Sequence, residues 1–363
     1  MLIAADETYD RGTLLPGLAI ETDGRSITAR RALGSDTPDL RVRLLMPAPT
    51  DLQVNGGGGV MLNSDPSADA MRAIAAAHLR VGTGAILPTL ITDSPDRLEA
   101  AADAAIACRG EPGILGLHLE GPHLNPARKG THDPQHMRPL DARTMAALRR
   151  LRAAGVPVLL TLAPEISDPA LIAEAAAMGV VVSAGHSAAT ADQARAGLEA
   201  GVTMFTHLFN AMPQMSSRDP GIIAAAILSE AYCGLIADGV HVSWDMMRLA
   251  IAARPRADRM FLVSDAMATV GGPDHFTLYG QEITLRNGRL VNAQGALAGA
   301  HVDMVTSLAN LHRHAGVGLA AAVAMATDAP RAAMGLAAPQ VTQGTALRDV
   351  IALDDGLRLT PLS

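Results

Sequence analysis

Eight apolar, strand-like runs alternate with alanine-rich helical stretches through the middle of this 363-residue chain. In those stretches apolar residues recur at helical spacing, and a glycine often follows the last turn. Strands that alternate with helices pair in parallel through helical crossovers. Eight such units over about 250–290 residues predict an α/β fold, a closed (β/α)8 or TIM barrel. An open doubly wound sheet is the alternative; the number of units and the polar strand ends favour the barrel.

The two ends of the chain have a different pattern. Residues 13–21 and 40–46 are short β-prone runs between polar turns, and residues 344–355 have the same pattern near the other end. Neither end has enough strands to form a stable sheet alone. We therefore predict one small β-sandwich domain built from residues 1–46 and 338–363, beside a barrel at residues 47–337.

Residues 271–300 interrupt the alternation after the eighth strand-like run. They predict a β-hairpin, with Asn287 and Gly288 at its turn. Because this hairpin follows the last barrel strand, we expect it to form a lid or rim over the site at that end of the barrel.

Composition excludes several classes of protein. The net charge is −7 and the chain has no run of Lys and Arg, which argues against a nucleic-acid partner. The two cysteines, Cys108 and Cys233, make neither a disulfide framework nor a thiolate zinc site. Early acidic residues argue against a signal peptide, and no segment has the length needed to cross a membrane. We therefore expect a cytoplasmic protein that acts without a membrane.

Acidic or imidazole side chains end five of the apolar runs. They are Glu120, His186, His207, His241 and Asp265. Burying an unpaired polar group costs roughly 2–7 kcal/mol, so packing alone gives little reason for such endings. Because the carboxyl ends of barrel strands form the active-site face, we expect these side chains to converge on one site.

Glu120, His186 and His207 are the predicted metal ligands. One carboxylate, two imidazoles and a water fill a four-coordinate shell of the catalytic zinc type. The alternative is that the two histidines are hydrogen-bonded residues of the core or rim. Gln53 and Asn55 end the first strand, and amides bind zinc poorly, so we expect one divalent ion rather than two. Zinc is the expected ion, although iron, manganese and cobalt suit the same ligands.

Two further residues have chemistry that fits hydrolysis. Asp265 would accept a proton from the attacking water and pass it to the leaving group; the alternative is an aspartate that caps the next segment. His132, in the loop after the third strand, would donate a hydrogen bond to a substrate carbonyl; the alternative is a solvated loop histidine.

An anion site is predicted after the sixth strand. The backbone N–H groups of Asn210 and Ala211, together with Arg218, would hold a phosphate. His241, after the seventh strand, would bind a sugar hydroxyl or that phosphate. For Arg218 the alternative is a surface ion pair with Asp219.

Seven segments together resemble the N-acetylglucosamine-6-phosphate deacetylases of the amidohydrolase superfamily. They span most of the barrel: DLQVNGGGG (51–59), HLEGPHLNPARKGTH (118–132), SAGHS (183–187), THLFNAM (206–212), ADGVH (237–241), SDA (264–266) and LAG (297–299). The resemblance implies metal-dependent hydrolysis of the acetamide of an N-acetylated amino-sugar 6-phosphate. N-acetylgalactosamine 6-phosphate is an alternative substrate, and a catalytically silent sugar-phosphate binder is an alternative of another class.

The resemblance also implies a role for each matching residue. Glu120, His186 and His207 look like the metal ligands, Asp265 the acid/base, His132 the group that polarises the carbonyl, and Asn210, Ala211 and His241 the substrate contacts. Arg218 resembles an arginine that reaches the neighbouring subunit's phosphate site, which implies a homodimer. Two features depart from related patterns: Gln53 and Asn55 replace the His-x-His pair of two-metal members, and Ala300 stands where a Ser is usual.

Overall fold

The computed structural model describes residues 1–362. In that range it contains these strands: Leu2–Asp10 (β1), Thr13–Pro16 (β2), Leu18–Thr22 (β3), Ile27–Ala32 (β4), Leu40–Pro47 (β5), Thr50–Val54 (β6), Gly56–Gly57 (β7), Val60–Met61 (β8), Ala85–Ile91 (β9), Leu117–Glu120 (β10), Val158–Leu162 (β11), Val181–Ala184 (β12), Val202–Phe205 (β13), Tyr232–Leu235 (β14), Met260–Leu262 (β15), His275–Leu278 (β16), Gln281–Arg286 (β17), Arg289–Val291 (β18), Val350–Leu353 (β19) and Leu359–Thr360 (β20).

The α-helices follow the same alternation. They are Ala68–Arg80 (α1), Pro95–Ala107 (α2), Ala142–Ala153 (α3), Pro169–Ala177 (α4), Ala191–Ala200 (α5), Gly221–Leu228 (α6), Trp244–Ala253 (α7), Met304–His314 (α8), Leu319–Ala326 (α9) and Asp328–Ala333 (α10). None of the helices in the described part of the chain is both long enough and apolar enough to span a membrane.

Eight parallel strands form the barrel. Their order is β6-β9-β10-β11-β12-β13-β14-β15, so each strand lies beside the next one along the chain. A parallel bridge between Val54 and Ala266 joins the two ends of this sheet, and the Asn55 N–H donates to the Ala266 carbonyl. The closure and the unbroken strand order confirm the predicted (β/α)8 barrel and exclude the open sheet.

Local sequence explains where the helices begin. Ser67, Ser94, Asp141 and Thr190 each accept the backbone N–H of the residue three positions later, at the first turn of α1, α2, α3 and α5. Each such cap stabilises a helix start by about 1 kcal/mol. The apolar faces that follow pack against fully buried strands such as β9 and β11.

The terminal segments together form one mixed sheet of seven strands. Strand β1 pairs with β5 in parallel along one edge, and β2 and β3 share its other edge. Strand β19, from the far end of the chain, pairs with β5 and with β20. The two ends therefore share one small β sheet, as predicted, whereas its form as a β-sandwich domain and the division at residues 46–47 and 337–338 stay predictions. Tyr9, Leu44 and Met46 pack into the barrel core.

The predicted hairpin has a third strand. Strands β16, β17 and β18 form an antiparallel sheet with turns at Tyr279-Gly280 and Asn287-Gly288, where all four residues have positive φ. Such φ pairs make two-residue turns that follow the twist of a hairpin. The apolar side of this sheet packs on Met61, Ile91 and Met267 at the rim of the barrel.

Candidate metal and active site

One pocket at the carboxyl ends of the barrel strands gathers all the predicted site residues except Arg218. The strand ends explain this arrangement. Glu120 is the last residue of β10, while His186 and His207 lie two residues beyond β12 and β13. The predicted residues that line the pocket are Glu120, His132, His186, His207, Asn210, Ala211, His241 and Asp265.

The side-chain atoms of Glu120, His186 and His207 form a tight triangle. The His207 Nε2 lies 2.9 Å from Glu120 Oε1 and 3.1 Å from His186 Nε2, and His186 Nε2 lies 3.3 Å from Glu120 Oε1. All three residues are buried. Ligands about 2.0–2.2 Å from a tetrahedral zinc ion lie about 3.3–3.6 Å from one another. The triangle is slightly tighter than that, and these donor atoms fit a single divalent cation.

A hydrogen bond on the far side of the His186 ring selects its ligand atom. The His186 Nδ1 lies 2.8 Å from the Arg128 carbonyl, to which it donates, so its Nε2 holds the lone pair that a metal requires. The His207 Nδ1 is buried and has no hydrogen-bond partner among the described residues. The Nε2 atoms of both histidines point at the same carboxylate oxygen.

His132 lies close enough to Glu120 and His186 to form a second possible ligand set. Its hydrogen bonds argue against that role. The Thr92 backbone N–H donates to His132 Nδ1 over 3.3 Å, so this nitrogen is an acceptor and the ring proton lies on Nε2. The Nε2 atom lies 3.7 Å from Glu120 Oε2, beyond hydrogen-bond distance. The ring therefore presents a donor to the pocket.

Two amides hold the carboxylates of the site. Gln53 Nε2 donates to Glu120 Oε1 at 2.9 Å and to Asp265 Oδ1 at 3.1 Å. Asn55 Nδ2 donates to the same Asp265 oxygen at 2.7 Å. Barrel closure places these first-strand residues next to the end of the eighth strand. The amides therefore leave the other Asp265 oxygen, Oδ2, as its candidate proton acceptor.

His241 is fixed by a carboxylate at the edge of the pocket. Its Nδ1 lies 2.6 Å from Asp238 Oδ2, and the other Asp238 oxygen accepts the backbone N–H groups of Val240 and His241. The Asp238 pKa is below its ordinary value because hydrogen bonding and charge from His241 outweigh burial, which acts to raise it. This arrangement leaves His241 Nε2 free to meet a ligand.

The anion site predicted after the sixth strand is only partly assembled within one chain. Asn210 and Ala211 line the pocket, and Asn210 Nδ2 donates to the His207 carbonyl at 3.2 Å. Arg218 lies on an exposed loop before α6 and is not part of the pocket lining. Its role in phosphate binding stays a prediction.

Comparisons with known proteins identify the family of this chain. A model of the amidohydrolase family matches residues 44–344. The chain belongs to the amidohydrolase family.

Similar members of that family act on N-acetylated sugar phosphates. The chain is 38% identical to the N-acetylgalactosamine-6-phosphate deacetylase of Shewanella sp. (strain ANA-3), over 91% of this chain and 86% of the relative. It is 32% identical to the N-acetylglucosamine-6-phosphate deacetylase of Haemophilus influenzae, over 90% and 88% of the two chains. The crystal structure of N-acetylglucosamine-6-phosphate deacetylase from Pasteurella multocida superposes with a TM-score of 0.89 at 30% identity, covering 99% of this chain and 97% of that one. The predicted resemblance is thereby confirmed.

Burial and neighbouring charges set the proton affinities in this amidohydrolase site. Burial raises the pKa of Asp265 to about 6, and the charge of Glu120 adds to that effect. Burial also acts to raise the pKa of Glu120, but the adjacent imidazoles of His186 and His207 outweigh it and hold that pKa well below its ordinary value. Burial and the neighbouring His186 hold the pKa of His132 far below its ordinary value, so this ring is neutral at pH 7.

Backbone strain is concentrated at the same site. His186, His207, Ala211 and Asp265 all have positive φ, at 46°, 27°, 52° and 52°. Residues with a Cβ rarely adopt this conformation, and it costs of order 1–3 kcal/mol each. Such strain is typical of an active site whose side chains are held in place by the surrounding fold.

Several residues that the sequence does not single out support this amidohydrolase site. Thr92 bonds to His132, and Asp238 fixes His241. Glu165 accepts hydrogen bonds from Asn125 and Ser187, which joins the loop after β10 to the loop that carries His186. Their polar character is common in loops, so no signal in the sequence separates them from ordinary turn residues.

Proposed function

We propose that this amidohydrolase hydrolyses the acetamide of N-acetyl-D-glucosamine 6-phosphate to D-glucosamine 6-phosphate and acetate, a reaction of amino-sugar breakdown. The observation that carries the proposal is the triangle of Glu120, His186 and His207 in one pocket with Asp265. The named relatives supply the substrate class, a small amino-sugar phosphate. Acetate release from the purified protein and this substrate tests the proposal directly.

The side chains of the pocket suit each step of amide hydrolysis. A divalent cation held by Glu120, His186 and His207 would supply Lewis acidity towards the water and the carbonyl. Asp265 takes a proton from the attacking water as its oxygen bonds to the acetyl carbon. His132 Nε2–H donates to the carbonyl oxygen as negative charge develops there; such a donor stabilises the transition state by about 3–4 kcal/mol. Asp265 then gives its proton to the nitrogen as the C–N bond breaks.

The ion and the compartment are parts of this proposal. We propose zinc as the resident metal, one ion per subunit, because one carboxylate and two imidazole nitrogens are a common catalytic zinc set. Iron, manganese and cobalt suit the same ligands.

We place the protein in the cytoplasm, since both cysteines are free thiols in the structure, which is typical of a reducing compartment.

The phosphate site proposed here requires a second subunit. Asn210 and Ala211 would bind the phosphate through backbone N–H groups, His241 would bind the sugar or the phosphate, and Arg218 would reach the pocket of the neighbouring subunit. The exposed position of Arg218, outside its own pocket, supports a homodimer.

Arg218→Ala tests this assignment. We expect KM for the phosphorylated sugar to rise about 10–100-fold with little change in kcat, since a charge-assisted bond to phosphate contributes about 1.5–3 kcal/mol. The KM for unphosphorylated N-acetylglucosamine should stay the same. Arg195→Ala, which removes an exposed arginine of α5 paired with Asp192, is the matched control. An equal rise in KM for both sugars would remove Arg218 from the phosphate site.

N-acetylgalactosamine 6-phosphate is the second candidate substrate. It is supported by the 38% identity to a deacetylase of that sugar, which exceeds the 32% identity to the Haemophilus influenzae enzyme. Measuring kcat/KM for both epimers by acetate release distinguishes them. A ratio above about tenfold, or 1.4 kcal/mol, in either direction would assign the preferred epimer.

A further inference from the structure

We propose that Thr92 and Tyr279 are positioning residues for His132, which fix the imidazole tautomer that presents an N–H to the substrate carbonyl. The inference rests on the proposed deacetylase function for its kinetic consequence. The tautomer itself is a property of the protein and is measurable without turnover.

Thr92 determines which nitrogen of His132 carries the proton. It directly follows β9 and is fully buried. Both its backbone N–H and its hydroxyl contact His132 Nδ1, at 3.3 and 2.8 Å. A backbone N–H can only donate, so Nδ1 must hold a lone pair, and the hydroxyl must donate to it as well. A neutral ring then has its proton on Nε2, the nitrogen that faces Glu120 and the pocket.

Gly121, next to the proposed metal ligand Glu120, leaves space for the Thr92 hydroxyl. A Cβ on Gly121, the residue after Glu120, would lie 2.4 Å from Thr92 Oγ1. Gly121 also has a φ of 89°, which glycine adopts without strain. A larger residue there would push Thr92 off His132, so the glycine permits the contact.

Tyr279 connects this pair to the hairpin. It occupies the turn between β16 and β17, and its phenol donates to the Thr92 carbonyl. Its φ of 50° is unusual for a bulky side chain, which indicates that the surrounding structure holds it there. Burial raises the pKa of Tyr279, so the phenol stays protonated and remains a donor. Every polar group of Thr92 therefore has a partner, and the hairpin helps to hold His132 in place.

Thr92→Val and Thr92→Ser separate positioning from general stability. In the metal-loaded protein, Thr92→Val should lower kcat about 10–100-fold, the usual cost of losing such a supporting hydrogen bond, while KM changes less than about threefold. Thr92→Ser keeps the hydroxyl and should restore kcat to within about threefold of wild type. The matched control is Thr144→Val, which removes a buried hydroxyl bonded to His123, outside the pocket.

Nitrogen-15 NMR of the histidine rings gives the second measurement. Comparison with a His132→Asn spectrum assigns the ring signals. We expect the Nε2–H tautomer for His132 in wild type. In Thr92→Val only the longer, 3.3 Å bond from the backbone N–H remains at Nδ1, so we expect a fraction of the Nδ1–H tautomer to appear. Tyr279→Phe should cause a smaller change of the same kind.

Two outcomes would overturn the proposal. One is an Nδ1–H tautomer for His132 in the wild-type protein. The other is an equal loss of kcat in Thr92→Val and Thr144→Val, which would indicate a structural effect only. If wild type releases no acetate from either sugar phosphate, the proposed function fails, and the NMR result still decides whether Thr92 positions His132.

Discussion

Asp265→Asn is expected to lower kcat by about 10³–10⁴-fold while the metal stays bound. The change removes the group that we propose takes a proton from water and returns it to the amine, and general acid–base catalysis contributes up to about this much. The Asn oxygen can still accept from Gln53 and Asn55, which now donate to Asp265 Oδ1 at 3.1 and 2.7 Å. The geometry of the site should therefore survive and only the proton transfer should be lost.

The measurement combines acetate release with metal analysis on the same sample. Asp328→Asn is the control, because Asp328 is a partly buried aspartate bonded to Tyr9 and lies outside the pocket. It should change the melting temperature more than it changes kcat. A kcat near the wild-type value in Asp265→Asn would refute the proposed role, and loss of metal would show that Asp265 is itself a ligand.

The barrel was predictable because its signals are local and repeated. Each strand-like run is apolar and each helix has its own periodic face, so the count of eight required no knowledge of distant contacts. The position of the site followed from one rule, that barrel chemistry lies at the carboxyl ends of strands. That rule brought Glu120, His186 and His207 together from three separate strands.

The details of the site were less predictable because they depend on contacts between distant residues. From the sequence, Gln53 was recognised only as a poor metal ligand. Its amide also bridges Glu120 and Asp265, because closure of the barrel brings the first strand beside the last. The tautomer of His132 depends on Thr92, forty residues earlier in the chain. A neutral imidazole has two tautomers, and only its partners in space select one.

His207 and His132 are the two candidates for the third metal ligand, and loss of metal in site variants distinguishes them. Both rings lie beside Glu120 and His186, and distance alone allows either. The hydrogen bond from the Thr92 N–H to His132 Nδ1 excludes a neutral His132 that ligates through Nε2. His207 has no such restriction, since its Nδ1 is without a partner among the described residues.

Glu120→Gln should empty the metal site. A neutral amide binds zinc far more weakly than a carboxylate does, and two imidazoles alone hold the ion poorly. We expect the metal content after dialysis to fall more than about tenfold. Even the substitution of a residue that only supports the ligands lowers metal affinity about 10–100-fold. Glu174→Gln, which removes an exposed carboxylate paired with Arg149, is the matched control and should keep its metal.

The two histidines then give opposite results in the same assay. His207→Asn should lose the metal together with activity, because it removes one of the three donor atoms in the triangle. His132→Asn should retain the metal and lose only turnover, since the proposed role of its ring is to donate a hydrogen bond to the substrate. A His132→Asn protein without metal, beside a His207→Asn protein with metal, would replace the proposed ligand set with Glu120, His132 and His186. Full occupancy in Glu120→Gln would remove the carboxylate from either set.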